Sequence, residues 1–312
     1  MVMKKIILAI VISGFFFTML AMPKQVLAGS TEGLLLWFQI VLPTLLPFMI
    51  VANLLVSTNI VYYISNLLSP ILQPIFGISP SGCFAVLSGF LCGFPMGAKI
   101  TGDLVTGGHI SKAEGKYLIS FCNNTSPMFI ISYIVIQNLK TDYLVFSSLC
   151  LILISAFLGS LIFRRVYRRE MLAQPASESL CSTMCFSFRL LDTSIMNSFK
   201  AMVRIGGYII LFSILLTMAK SLPFTGSWWT AGLLPMIEIT NGIPLICEST
   251  LSFPVKYALV LFLAAFGGLC SIAQTKCMVQ DADIPIFPYI AQKLVTAGIT
   301  SLLAYIYIYF TY

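Results

Sequence analysis

Charge is what this chain has least of. Lys, Arg, Asp and Glu make up 9% of 312 residues, where soluble chains carry about 25%. A water-facing surface cannot be assembled from so few ionic side chains, which excludes a soluble globular domain. Histidine is scarcer still. His109 stands alone, which removes poly-His metal sites and leaves no plausible Ser–His pair. No HExxH or CxxC spacing occurs, and no paired carboxylates sit at helical spacing, so an enzyme is not expected. The nine cysteines lie mostly inside apolar stretches (Cys83, Cys92, Cys122, Cys150, Cys247, Cys270) and read as small packing residues. Cys181 and Cys185 fall in a hydrophilic linker expected in the cytosol, where thiols stay reduced. The net charge of +7 comes from 18 basic residues spread thinly, so nucleic acid is not an expected partner.

What the chain does have is apolar length. Hydrophobic residues make up 58% of it and the mean hydropathy is +0.96. At about 20 residues per crossing, roughly seven to nine membrane segments could be supplied. The stretches are continuous rather than alternating, so the fold class is all-α and polytopic, not a β-barrel. The clearest spans are Ile6–Met22, Leu34–Val56, Tyr143–Phe163, Ala201–Lys220 and Ile286–Phe310. The first is read as an uncleaved helix, although Val26-Leu27-Ala28 also matches a small-residue cleavage site.

Other apolar stretches are interrupted. Val61–Phe76 carries Pro70 and Pro74 and reads as a short interfacial or kinked helix. Ser81–Gly108 is broken at Gly93-Phe94-Pro95-Met96-Gly97, and Lys116–Gln137 at Cys122-Asn123-Asn124-Thr125-Ser126-Pro127. Leu233–Leu251 is expected to break at Thr240-Asn241-Gly242-Ile243-Pro244. Tyr257–Val279 is expected to break at Gly267-Gly268 and again near Ser271 to Gln274.

Arg164, Arg165, Arg168, Arg169, Arg189 and Lys200 lie between two spans, which assigns the linker to the cytoplasm. Lys4 and Lys5 put the N-terminus on that side. The parity closes if Ser81–Gly108 is a re-entrant hairpin rather than a crossing. The same logic beyond Lys200 gives a second hairpin, a second broken helix and a C-terminus outside. The expected plan is an N-terminal helix (1–33), a first repeat (34–163), the basic linker (164–200) and an inverted second repeat (201–312). Inverted repeats with discontinuous helices are common in secondary transporters.

Unwound backbone survives in lipid only where it is buried in protein or lines a wet cavity. The polar residues at the breaks are therefore the candidate site: Asn123, Asn124, Thr125, Ser126, Glu238, Thr240, Asn241, Ser271 and Gln274, with amide and hydroxyl groups suited to an uncharged polar ligand. At Asn123–Ser126 a binding role and the capping of two half-helices are compatible. Gly93, Pro95, Gly97, Pro127, Gly242, Gly267 and Gly268 would shape the turns. Glu238, an intramembrane carboxylate, is a candidate for binding a cation or proton, with simple hydration near the interface as the alternative. Glu248 and Arg204 read as interfacial, and Asp103 with His109 as solvated.

Trp37–Phe48 (WFQIVLPTLLPF), Gly93–Gly97 (GFPMG) with Lys99, Asn123–Pro127 (NNTSP), Glu238–Gly242 (EITNG) and Gly267–Gln274 (GGLCSIAQ) occur in order along the chain. Together they resemble sporulation integral membrane proteins of the YlbJ type. That group falls within the wider nucleoside-recognition, or Gate, family, which is shared with concentrative nucleoside transporters and the ferrous-iron permease FeoB. The resemblance covers nearly the whole chain. It implies a membrane protein of an endospore former, a role in spore formation and its cortex, and hairpins and broken helices that form the permeation site in transporting relatives. The chain is shorter than typical members, with Arg164–Lys200 as the expected place of the missing sequence. The expected partners are the lipid bilayer and a small polar solute, a nucleoside among the candidates, with homo-oligomers left open. No cofactor is expected beyond a coupling ion, proton or sodium. The alternative is a non-transporting membrane partner that holds or recruits sporulation proteins.

Overall fold

The computed structural model describes residues 2–58, 60–173, 187–222 and 228–311. Among these, every regular element is helical. In order they are α1 (Val2–Ala21), α2 (Pro23–Leu36), α3 (Leu42–Ser57), α4 (Ile60–Phe76), α5 (Pro80–Cys92), α6 (Met96–Thr106) and α7 (Lys112–Cys122). Then come α8 (Val145–Ala173), α9 (Phe188–Lys220), α10 (Ile239–Glu248), α11 (Phe253–Phe266), α12 (Gly268–Met278) and α13 (Ile286–Thr311). Five helical stretches are long and apolar enough to cross a bilayer: Pro23–Ser57, Asp142–Leu172, Phe188–Lys220, Phe253–Met278 and Ile286–Thr311. Phe16, Leu67, Phe146, Phe287 and Phe310 stand exposed on the outside, a surface that lipid would cover and water would not. The protein is a multi-pass, all-helical membrane protein.

The span expected at Leu34–Val56 starts earlier, at Pro23. A π-helical turn over Trp37–Val41 joins α2 to α3 without interruption. This long helix lies against α9 because Gly29 and Gly33, four residues apart, leave room for it. A Cβ on either would come within 2.8 Å of the Cα of Ile214 or Ile210. Small residues at that spacing let two helix backbones touch, which is how helices associate when burial from water drives nothing. Trp37 Nε1 donates to Met202 O at 2.9 Å and Asn53 Nδ2 to Ser198 Oγ at 2.8 Å, fixing the register.

α4 stays helical through Pro70 and Pro74. Pro70 cannot donate to Asn66 O, and the Ser69 hydroxyl takes that carbonyl instead at 3.0 Å. The chain then bends by 86° into α5. α5 and α6 form the first hairpin, with its tip at Gly93–Pro95. The same order of elements follows in both halves: hairpin, broken helix, straight helix. The second hairpin is made of a π-helical turn (Trp228–Leu233), a 3₁₀ turn (Leu234–Met236) and α10. α8 and α9 extend into the basic linker from both ends, as far as Ala173 and from Phe188. Cys181 and Cys185 lie outside the described residues.

Two corrections concern the breaks. Thr240–Pro244 is not unwound: it lies inside α10, and the irregular backbone sits just before it at Ile237–Glu238. The helix starts there because Glu238 caps it, and Pro244 is tolerated because Tyr133 Oη donates to the carbonyl it frees, Thr240 O, at 2.6 Å. Likewise Ser271–Gln274 is helical within α12, so the second broken helix has one break, at Gly267-Gly268. Both glycines have positive φ (86° and 77°), a conformation L side chains rarely adopt.

Candidate functional site

The first break is built by α7 ending too early. Ser111 Oγ accepts from Glu114 N at 3.1 Å to start it. Asn123 leaves helical backbone at φ −90°, ψ 83°. The chain stays irregular to Ser126, and Pro127 restarts a helix that runs on as the π-helical Phe129–Leu139. Every polar side chain of this break is committed. Asn123 Nδ2 donates to Thr275 Oγ1 and to Tyr289 Oη, both at 2.9 Å, while its Oδ1 accepts from Ala98 N at 3.2 Å. That one amide joins the hairpin tip, α12 and α13. Asn124 Nδ2 donates to Phe121 O at 2.5 Å. Thr125 Oγ1 donates to Ala264 O at 2.5 Å, and Ser126 Oγ accepts from Phe129 N at 3.3 Å.

One group at this break has no place in the sequence reading above. Lys293 of α13 is fully buried, and its Nζ donates to Asn123 O and Asn124 Oδ1, each at 3.0 Å. The same ammonium stands 5.0 Å from the centroid of the Phe94 ring in the hairpin tip. The signal was present: a single lysine in the middle of the apolar run Ile286–Phe310 is a functional-site candidate by default.

The break inside the second hairpin, called the second break from here on, is built around Glu238, also buried. Its Oε1 accepts from Thr240 N at 3.0 Å and its Oε2 from Asn241 N at 2.8 Å, a side-chain cap on α10. Ile237 O accepts from Cys270 N at 3.1 Å, so the hairpin leans on the start of α12. Gly242 lets α10 fold back on the 3₁₀ turn of its own hairpin, since a Cβ there would lie 2.5 Å from Pro235 O. Gly93 and Gly267 serve the tips in the same way. A Cβ on Gly93 would collide with the Ser126 backbone, and one on Gly267 would stand 2.8 Å from the Phe94 ring. Gly97 brings α6 against Cys122 O, at 2.8 Å from a hypothetical Cβ.

Both breaks border one cavity of about 420 Å³. Of the nine candidate residues, Thr125, Ser126, Glu238, Thr240, Ser271 and Gln274 line it. Asn123, Asn124 and Asn241 do not: the first two hold the break to α12 and α13, and Asn241 Nδ2 donates to Ser213 Oγ of α9 at 3.2 Å. Phe94, Phe129, Tyr133 and Gln137 line it as well, with the Phe129 and Tyr133 rings stacked at 4.8 Å. Among the described residues, Glu238 is the only Asp or Glu in the lining, and no Lys, Arg or His lines it. Thr44 and Ser132 add two hydroxyls, and the rest of the wall is largely apolar, with α3 and α9 contributing Leu45, Phe48, Ile205 and Ile209. Such a chamber suits a small solute that stacks on aromatic faces and donates hydrogen bonds to a few fixed acceptors.

Residues 38–171 match the family described as Gate, nucleoside recognition. The chain is also 28% identical to the sporulation integral membrane protein YlbJ of Bacillus subtilis (strain 168), over 94% of this chain and 80% of that relative. No solved structure matches. The resemblance carried by the five quoted motifs is borne out, and the Gate match takes in the first hairpin and the first broken helix.

Proposed function

We propose that this protein acts in spore formation as a Gate-type, transporter-like membrane protein, and that the cavity between the two breaks receives a small polar solute. The observation that carries the reading is convergence. Two hairpins and two broken helices from separate halves of the sequence border one chamber, and among the described residues its single carboxylate is Glu238. Repeated interruptions of membrane helices at one depth are how transporters assemble a binding site. The relative's name supports the setting in sporulation, and the family's description supports a nucleoside as one solute class to test. In this reading the two halves are inverted repeats, the basic ends of α8 and α9 face the cytoplasm, and Glu238 takes up the coupling proton or cation.

The test is thermal unfolding of the purified full chain against a panel of nucleosides, sugars, amino acids and cations. A ligand that binds the folded state raises its melting temperature. At least one class is expected to do so. Ile209→Trp, which fills the cavity from α9, is expected to abolish the rise. A panel without effect, or a rise that survives in Ile209→Trp, overturns the assignment of the cavity.

A further inference from the structure

Among the described residues, Lys293 is the only lysine or arginine in the buried core, and no carboxylate pairs with it. A buried ammonium without a counter-charge is normally costly unless its protons are all accepted. Here they are directed at Asn123 O, Asn124 Oδ1 and the Phe94 ring. The two oxygens belong to the place where α7 has just unwound. A helix C-terminus carries partial negative charge on carbonyls that lack intrahelical partners. Freed carbonyls and amide oxygens at a membrane helix break are the ligand set that holds a small monovalent cation in a discontinuous helix.

We propose that Lys293 is the resident cation of the first break: its ammonium, tethered to α13, fills the place between Asn123 O and Asn124 Oδ1 that a free monovalent ion would otherwise take. The break is then held together without sodium. The arrangement also spans three elements, because Phe94 contacts the ammonium and lines the cavity, while Asn123 reaches Tyr289, one turn before Lys293 on α13. The inference concerns how the break is held, and it stands whether or not the cavity carries a solute. If the cavity reading also holds, the ionisable group left to couple transport is Glu238.

The experiment is thermal unfolding of the purified full chain in detergent. Glu238→Gln protein, in which the cavity carboxylate can no longer bind a cation, is expected to melt at the same temperature in sodium, potassium and choline chloride at equal ionic strength. Lys293→Ala is expected to melt on the order of 10 °C lower than wild type, because two buried acceptors lose their donor. n-Propylammonium, which replaces the deleted part of the side chain, is expected to restore roughly half of that loss, and tetramethylammonium, which has no N–H, none. A sodium-specific rise in the melting temperature of Glu238→Gln protein, which keeps Lys293 in place and lacks the cavity carboxylate, overturns the proposal. So does a Lys293→Met protein that melts with wild type, or equal recovery by both ammonium ions.

Discussion

The two breaks meet the same difficulty with opposite charges. At the first, an ammonium faces the carbonyl end of α7; at the second, a carboxylate faces the N–H end of α10. Each buried charge is matched by a helix terminus of opposite partial charge rather than by a counter-ion. That is why Lys293 and Glu238 can be buried singly, without a salt bridge between them. The difference lies in access. Lys293 is shut behind the Phe94 ring with its protons used, whereas Glu238 lines the cavity, and its two oxygens, with about four acceptor sites between them, are not filled by the α10 cap. On the proposed reading, the first break holds and the second receives.

If so, damage at the first break is expected to be structural. Asn123→Leu should have the largest effect, about 3–5 kcal/mol, since three buried bonds are lost and Ala98 N is left without its acceptor. Poor accumulation in membranes and a steep fall in melting temperature would show it. A loss under about 1 kcal/mol would mean that the amide does not lock the break. Gly93→Ala comes next, at about 2 kcal/mol. It forces a side chain into positive φ and onto the Ser126 backbone. Gly207→Ala in α9, with nothing near the new Cβ, is the matched control and should be neutral or slightly stabilising.

How far the sequence carries this comparison can be judged residue by residue. Four of the five clearest spans, all but Ile6–Met22, are legible, as are the hairpin at Gly93–Gly97 and the break at Asn123–Pro127, because apolar runs and Gly-Pro interruptions act locally. The candidate polar residues are legible as a set, and six of nine line one cavity. Their division is not. Whether Asn123 points to a solute or to Thr275 and Tyr289 depends on contacts more than 150 positions away in the chain. Thr240–Pro244 reads as a break because Asn-Gly and Pro usually stop helices. Here the Glu238 cap and the Tyr133 hydroxyl supply the missing partners, and the second of these comes from the other half of the chain.

Damage at the second break should separate stability from binding. Glu238→Gln keeps an acceptor for the α10 cap, so the loss of stability should stay within about 1 kcal/mol. Binding of whichever panel compound stabilises wild type should nevertheless weaken about tenfold or more, because a charged acceptor in an apolar wall has become a neutral one. Melting curves taken with and without that compound give both numbers. Equal binding by Glu238→Gln and wild type would remove the contrast between a holding break and a receiving one.

The smallest effect is expected outside the apolar body, where charges are matched in the ordinary way. Lys112 Nζ lies 2.6 Å from Asp283 Oδ2 and Lys116 Nζ 2.9 Å from Glu170 Oε2, joining the start of α7 to the turn before α13 and to the basic end of α8. Asp283 is highly exposed, so solvent screens the pair and little stability rests on it. Lys112 still holds its carboxyl below the ordinary 3.8, by hydrogen bond first and charge second. A depressed carboxylate contributes stability above its unfolded value and loses it as pH falls through the folded one. The melting temperature should therefore decline slightly more steeply below about pH 4 in wild type than in Lys112→Gln. High salt should erase the difference, as it should not at Lys293 or Glu238, which are buried away from the screening ions. A salt response at Lys293→Ala as large as that at Lys112→Gln would show that the first break is open to solvent, and the contrast between the two breaks would fail.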